Sequence, residues 1–341
     1  MVAPSKRRPP VMADVAREAG VSHQTVSRVL NDHPNVRPDT RARVEEAITR
    51  LGYRRNLAAR ALVTKRSRML GVVSFDTTLY GPASTIYGIE QAARTAGYFV
   101  SIVSLKTLDV DSVRDAIDYL SEQGVDGVVV VAPRRSAGPA LESLPSGTPA
   151  VAVEGTLRGD VSVVCIDQAE GARLATRHLL ELGHRTVHHV TGPPDWLETE
   201  GRLEGWRAAL EEAGRPVPEP LPGDWSPHAG YAAGRILAAM DGVTAVFAAN
   251  DQMALGVLRA LSEEGVKVPD QISVVGFDDI PESAFFSPPL TTVRQDFDQV
   301  GRHCIEVLLR QLDAGAGTCE RLVVPPGFVV RSSTAAAARV P

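Results

Sequence analysis

Cysteine is scarce: only Cys165, Cys304 and Cys319 occur in 341 residues, too few and too scattered for a disulfide framework or a zinc cage. Long apolar runs are missing too. No stretch reaches the about 18 residues that a membrane span needs, and the basic N-terminus MVAPSKRRPP has no apolar segment behind it of the kind a secretory signal carries. The catalytic and nucleotide-binding signatures are also absent. There is no GxGxxG after a strand, no GxxxxGK followed by Ser or Thr, no GxSxG, no HExxH and no CxxC. These absences predict a cytoplasmic protein with no membrane partner, no metal, no cofactor and no enzymatic activity, preceded by a disordered tail over residues 1–10.

What is present is an ordinary globular composition, 44% hydrophobic and 23% charged, with one asymmetry. The net charge of −5 divides into +9 over residues 1–68 and −14 over the rest. A basic head on an acidic body is the pattern of a polyanion-binding module attached to something else. The head also carries patterned apolar residues, which a solvated basic tail would lack.

Three helical stretches are expected in that head. Met12–Ala19 spaces Met12, Val15, Ala16 and Ala19 as one face, and Gly20 is a stop signal. Ser22 is a good N-cap for His23–Leu30, where Val26, Val29 and Leu30 share a face. Asn31-Asp32-His33-Pro34 breaks that helix. Asp39 or Thr40 then opens a third, Arg41–Leu51, with Val44, Ala47, Ile48 and Leu51 inward and Gly52 closing it. Two helices joined by Ala19-Gly20-Val21-Ser22 make a helix-turn-helix.

The segments DVAREAGVSHQTVSRVLN (Asp14–Asn31) and VRPDTRARVEEAITRLGY (Val36–Tyr53) resemble the DNA-binding head of the lactose/galactose repressor family. The resemblance implies double-stranded operator DNA as a partner and base-reading roles for His23, Gln24 and Arg28. Chemistry agrees: Arg28 can pair bidentately with guanine and Gln24 with adenine. Thr25, Ser27 and Asn31 suit phosphates, which fix register without reading sequence, and Ser22 joins them at the start of the helix. The plain alternative is a polar surface.

After Tyr53, RRNLAARALVTKRS (Arg54–Ser67) spaces Leu57, Ala58, Ala61 and Leu62 as a short amphipathic helix, marginal alone in water. The resemblance implies a hinge helix over residues 57–68 that orders on operator. It makes Leu62 an apolar wedge between base steps and places Asn56 at a backbone contact and Ala59 at a close-packing site. Arg55 departs from the family, which commonly has proline there. The plain alternative is an interdomain linker.

From Met69 onward apolar segments alternate with helical ones. LGVVSF (Leu70–Phe75), YFVSIVS (Tyr98–Ser104), GVVVVA (Gly127–Ala132), PAVAVE (Pro149–Glu154), TVHHVTG (Thr186–Gly192), TAVFAAN (Thr244–Asn250) and SVVGFDD (Ser273–Asp279) read as buried parallel strands. Helices such as Ala83–Ala96 and Asp167–Leu182 lie between them. This succession predicts an α/β body of two doubly wound parallel-sheet lobes, with ligand at strand C-termini. The family's body has that form, like periplasmic sugar-binding proteins. The expected division is a head over 11–56, one lobe over 69–166 plus 297–323, a second over 167–296 plus 324–333, and a disordered tail over 334–341.

GRLEGW (Gly201–Trp206), GDWS (Gly223–Ser226), ANDQMALG (Ala249–Gly256) and PPLTTVRQDF (Pro288–Phe297) also resemble the family, in wording closer to its lactose-type branch than to its purine-responsive branch. The resemblance implies a small-molecule sugar effector held by Arg202, Asn250 and Asp278 through its hydroxyls, with Trp225 as a flat face for the ring. Gln295 and Phe297 would line the opposite wall beside Tyr80 and Glu154. Each admits a structural role instead: Asp278 as a turn cap, Asn250 as the cap of Asp251–Glu263, and Arg202–Asp278 as a simple ion pair. Trp206, Cys165 and Cys304 read as core, and His188-His189 point to opposite faces of a strand, poor joint metal ligands. The ending RSSTAAAARVP has no leucine heptads, so a homodimer is expected. The expected function is a palindrome-reading repressor released by a galactoside-like or other disaccharide. The alternatives are a corepressor-dependent regulator and a sugar-binding protein without DNA-linked function.

Overall fold

The computed structural model describes residues 8–54, 66–75, 77–107, 109–142, 147–155, 161–314 and 319–337. The chain separates into two compact units, one ending at Ser67 and the other beginning at Arg68.

The first unit holds α1 (Met12–Ala19), α2 (His23–Leu30) and α3 (Pro38–Leu51). The turn between α1 and α2 needs a left-handed residue, and Gly20 supplies it at φ +64°. Ser22 then caps α2, its Oγ accepting from Thr25 N–H at 3.1 Å. The third helix starts at Pro38 rather than the expected Arg41. Proline's fixed φ and missing N–H suit the first helical position, so Asp39 falls inside the first turn instead of opening the helix. Val15, Val26 and Val44 form the solvent-free centre of the unit, with Ala19, Val29, Ala47 and Tyr53 around them. Arg50 ties α3 to α1 through Glu18 at 2.7 Å.

The second unit contains two sheets. The first combines β1 (Met69–Phe75), β2 (Phe99–Leu105), β3 (Gly127–Val131), β4 (Ala150–Val153), β5 (Ser162–Ile166) and, from far along the chain, β10 (Arg321–Val324), in the order β10-β5-β4-β3-β1-β2 and parallel throughout. The second combines β6 (His188–Val190), β7 (Ala245–Ala248), β8 (Ser273–Asp278), β9 (Thr291–Arg294) and β11 (Gly327–Val329), in the order β11-β9-β8-β7-β6, with only β11 antiparallel. The intervening helices are α4 (Tyr80–Thr95), α5 (Val110–Glu122), α6 (Gly138–Glu142), α7 (Gln168–Glu181), α8 (Leu197–Glu212), α9 (Pro227–Ala239), α10 (Asp251–Glu263) and α11 (Phe297–Ala314). The chain crosses between sheets after β5, after β9 and after β10, so three connections join two lobes.

Several expectations need correction. β2 is not a buried strand: it is the sheet edge, paired only with β1, and it exposes Phe99 and Ile102. β6 spans three residues rather than the seven of Thr186–Gly192. The sequence does not mark four strands (β5, β9, β10 and β11), which are only three to five residues long. Residues 334–337 are not a disordered tail. Ala337 N–H donates to Leu182 O at 2.8 Å, and the Thr334 hydroxyl lies 3.0 Å from His178 Nε2.

Trp206 is core, its Nε1 donating to Val187 O at 2.9 Å. His189 stacks on Phe247 at 4.6 Å with its Nδ1 on Phe247 O, and burial lowers its pKa to about 4. It is a neutral core residue. Cys165 and Cys304 are buried. Among the described residues no cluster of His, Cys, Asp or Glu could hold a metal ion, and no helix is long and apolar enough to cross a membrane.

Candidate functional site

On the head, α2 turns Val26 and Val29 inward, so its opposite side faces water. Ser22, His23, Gln24, Arg28 and Asn31 are exposed; Thr25 and Ser27 are half-buried. Some of these side chains are already engaged. Ser22 Oγ and Thr25 Oγ1 are 2.9 Å apart, and Asn31 Nδ2 donates to Ser27 O at 2.9 Å. They hold the ends of the helix in place, whereas His23, Gln24 and Arg28 project from its solvent face. Asn56, Ala59, Leu62 and Arg55 lie outside the described residues.

In the second unit, the eight candidate effector residues surround one cavity of about 310 Å3 between the two lobes. Tyr80, Glu154 and Phe297 come from the first lobe; Arg202, Trp225, Asn250, Asp278 and Gln295 belong to the second or to the connection leaving β9. Arg202 on α8 is the hub. Its Nε donates to Gln168 Oε1 at 2.9 Å, one terminal nitrogen donates to Ala249 O, and the other lies 3.6 Å from Asp278 Oδ1. The guanidinium also sits 3.8 Å above the Phe277 ring centroid and 5.3 Å from that of Trp225. Gln295 Nε2 donates to Asp278 Oδ1 at 2.7 Å. Burial pushes the Asp278 carboxyl up to about 6 despite the opposing pull of Arg202 and Gln295.

Local sequence explains how Trp225 reaches the cavity. Asp224 Oδ1 accepts from Ser226 N–H at 2.8 Å, and Ser226 caps α9 through Ala229 N–H at 3.1 Å. The residue between them takes a left-handed backbone, φ +73°, an outlier for so bulky a side chain. Gly192 leaves the space: a Cβ there would lie 2.2 Å from Trp225 Cη2. Asn250 takes the structural role of a helix cap and also lines the cavity. Its Oδ1 caps α10 through Met253 N–H at 2.8 Å, while Nδ2 donates to Trp225 O at 3.1 Å at the cavity wall. Glu154 and Asp278 also have positive φ, +58° and +112°. Strained backbone of this kind gathers at functional sites, held by the structure around it.

Other residues of the site were missed in the sequence. Gln168 links Arg202 to Gln295, donating to Gln295 Oε1 at 3.0 Å. Asp251 is fully buried; its Oδ1 accepts from Thr292 Oγ1 at 2.6 Å and its Oδ2 from Ile280 N–H at 2.9 Å, anchoring the turn after Asp278. Trp196 meets Trp225 edge-on at 5.7 Å. Glu198, one turn ahead of Arg202, lines the cavity as well. The helical spacing Glu198–Arg202 was the available signal.

The bacterial lacI family of regulatory proteins matches residues 11–56, and a periplasmic binding protein-like domain matches residues 176–334. The lactose operon repressor of Escherichia coli K12 is 34% identical over 333 residues, covering 96% of this chain and 92% of its own. The chain belongs to the lacI family. A crystal structure of the Lac repressor dimer bound to operator and the anti-inducer ONPF superposes with a TM-score of 0.84 at 33% identity, over 96% of this chain and all of that one. A structure of the transcriptional regulator CelR in complex with cellobiose gives a TM-score of 0.71 at 32% identity over 95% of this chain and 99% of that one. The two-lobed body and helix-turn-helix head of this lacI-family chain are thus those of DNA-binding regulators.

Proposed function

We propose that the protein is a sugar-responsive transcriptional repressor, active as a homodimer in the cytoplasm and without enzymatic activity. The observation that carries this reading is one cavity lined by Arg202, Trp225, Asn250, Asp278, Gln295, Phe297, Tyr80 and Glu154. A guanidinium, carboxyl groups and amides beside a flat indole supply both donors and acceptors, as the vicinal hydroxyls of a pyranose require.

His23, Gln24 and Arg28 read base edges in the major groove, and Ser22, Thr25, Ser27 and Asn31 set register on the phosphates. Residues 11–56 form the reader, with Asn56 at a backbone contact, and 57–68 the hinge, where Ala59 serves close packing and Leu62 is the wedge between base steps. Two copies, paired through the bodies, present two heads to a near-palindromic operator. Tyr87, Phe99 and Ile102, which lie exposed on α4 and β2, supply apolar surface for that pairing. Sugar binding rearranges the lobes and lowers operator affinity, and the coupling is reciprocal.

The test is a mobility shift on full-length protein with a duplex obtained by in vitro selection, with and without a panel of mono- and disaccharides that includes lactose and cellobiose. Release by a sugar is the expected result. Tighter binding on adding sugar would reverse the sign to corepression. No preference for any selected duplex over scrambled competitor, with or without sugar, would overturn the reading.

A further inference from the structure

Glu198 is the second residue of α8. The start of a helix ordinarily favours a carboxylate, because free N–H groups and the helix dipole stabilise negative charge there. Here the surroundings win. Burial, followed by the nearby Glu154, pushes the Glu198 carboxyl up to about 8; Arg202 opposes the shift and Asp278 adds to it. Tyr80 completes the set of titratable groups around the cavity.

Geometry makes the group more than a perturbed acid. Glu198 Oε2 is sealed from solvent and has no hydrogen-bond partner among the described residues, yet Glu198 lines the cleft. Trp225 Nε1, on the same cleft, is also buried and without a partner. Buried polar atoms are seldom left unmatched, because each costs its full desolvation. Two of them, on residues that line one cavity, become partners for a ligand's polar atoms once either side chain turns into it. Charge narrows the ligand further: the described residues that line the cavity include three acids, Glu154, Glu198 and Asp278, and one base, Arg202.

We propose that Glu198 is a ligand-recognising residue of this cleft: its carboxyl O–H donates to an oxygen of an uncharged glycoside, while the acidic Glu154 and Asp278 beside it exclude anionic sugars such as sugar phosphates. This rests on the sugar reading above and adds a residue and a charge class to it. Protonated, Glu198 donates without adding negative charge to the cavity; ionised, it loses that donor and repels its acidic neighbours.

The experiment is isothermal titration of the full-length protein with neutral mono- and disaccharides, lactose and cellobiose among them, and with lactose 6-phosphate and cellobiose 6-phosphate. For a neutral sugar that binds, Glu198→Ala weakens affinity at least about tenfold, the size of a lost buried hydrogen bond. Glu198→Gln, which keeps a donor of the same shape, stays within about threefold of the parent. Parent affinity falls between about pH 7 and about pH 9 as the carboxyl ionises, while the glutamine variant changes little over that range. The 6-phosphates bind the parent at least about tenfold more weakly than their neutral counterparts.

A Glu198→Ala variant within about twofold of the parent would overturn the role of Glu198 and leave the sugar reading intact. A parent that binds the phosphates as tightly as the neutral sugars would overturn the exclusion of anions. Failure of every neutral sugar to bind the parent would overturn the sugar reading, and this proposal with it.

Discussion

The reading face of the head and the cleft of the body use polar side chains under opposite physical conditions. On α2 the candidate readers lie on a helix whose apolar face alone builds the core, so Gln24 and Arg28 contribute nothing to folding that water does not already provide. In the cleft, Arg202, Asp278, Gln295 and Gln168 are buried and satisfy one another. The candidate readers of the head are therefore separable from stability, whereas in the body the candidate effector residues also hold up the fold. Substitutions in the two regions should divide accordingly.

Arg202→Ala is expected to have the largest effect. It strands Asp278 and removes partners from Gln168 and Ala249 O. Removing one member of a buried ion pair costs about 3–5 kcal/mol. Thermal or urea denaturation of the full-length protein should show the second unit destabilised by that order, with sugar binding lost. A stable variant that has lost only sugar binding would show that the pair serves the ligand alone.

Arg28→Ala is the counterpart in the head. Loss of a bidentate guanine contact costs about 1–3 kcal/mol of discrimination, while an exposed substitution of this kind leaves stability within about 0.5 kcal/mol. Titration of selected and scrambled duplexes at fixed salt should show affinity falling for the former and changing little for the latter. Equal loss on both would assign Arg28 to a phosphate.

The same contrast explains what the sequence revealed. Both boundaries of α1 and α2 were legible because capping and helical periodicity are local, and α10 was legible for the same reason. The alternation of strand and helix exposed the body's class. The edge position of β2 was not legible, since YFVSIVS is as apolar as its buried neighbours and only the strand order reveals which partner is missing. The eight cleft residues were found through their resemblance to a family, whereas Gln168, Asp251, Trp196 and Glu198 were not. The parts of the first three depend on contacts across 127, 41 or 29 residues of chain, as in Gln168–Gln295, Asp251–Thr292 and Trp196–Trp225, and no local pattern carries such a separation; for Glu198 the only local signal was its helical spacing from Arg202.

Gly192→Ala tests the cleft without touching a charge. The added methyl meets Trp225 Cη2 and Cζ2 at 2.2 and 2.3 Å, and overpacking of this kind costs about 1–3 kcal/mol. The indole must swing, so sugar affinity and tryptophan fluorescence should change together while duplex selectivity is kept. An unchanged affinity would remove Trp225 from the binding wall. Ser22→Ala is milder, expected to cost about 1 kcal/mol of head stability through the lost cap on Thr25 N–H.

The smallest effect is a pH slope, and it sets body against head most finely. Glu198 has its folded value raised from 4.5 to about 8, so folding favours its protonated form. Its contribution is complete at pH values below the ordinary 4.5 and is lost as pH rises through about 8. Asp278 acts in the same direction over a lower window, from 3.8 to about 6. The buried imidazole of His189 works the other way: with its pKa lowered from 6.5 to about 4, it stabilises above the higher value and loses that contribution as pH falls through the lower. Above neutrality His189 and Asp278 are spent, and Glu198 alone of the three still titrates. The urea midpoint of the second unit should therefore decline between about pH 7 and about pH 9 in the parent and less steeply in Glu198→Gln, with the head unchanged in both. Parallel slopes in the two proteins would place the proton elsewhere.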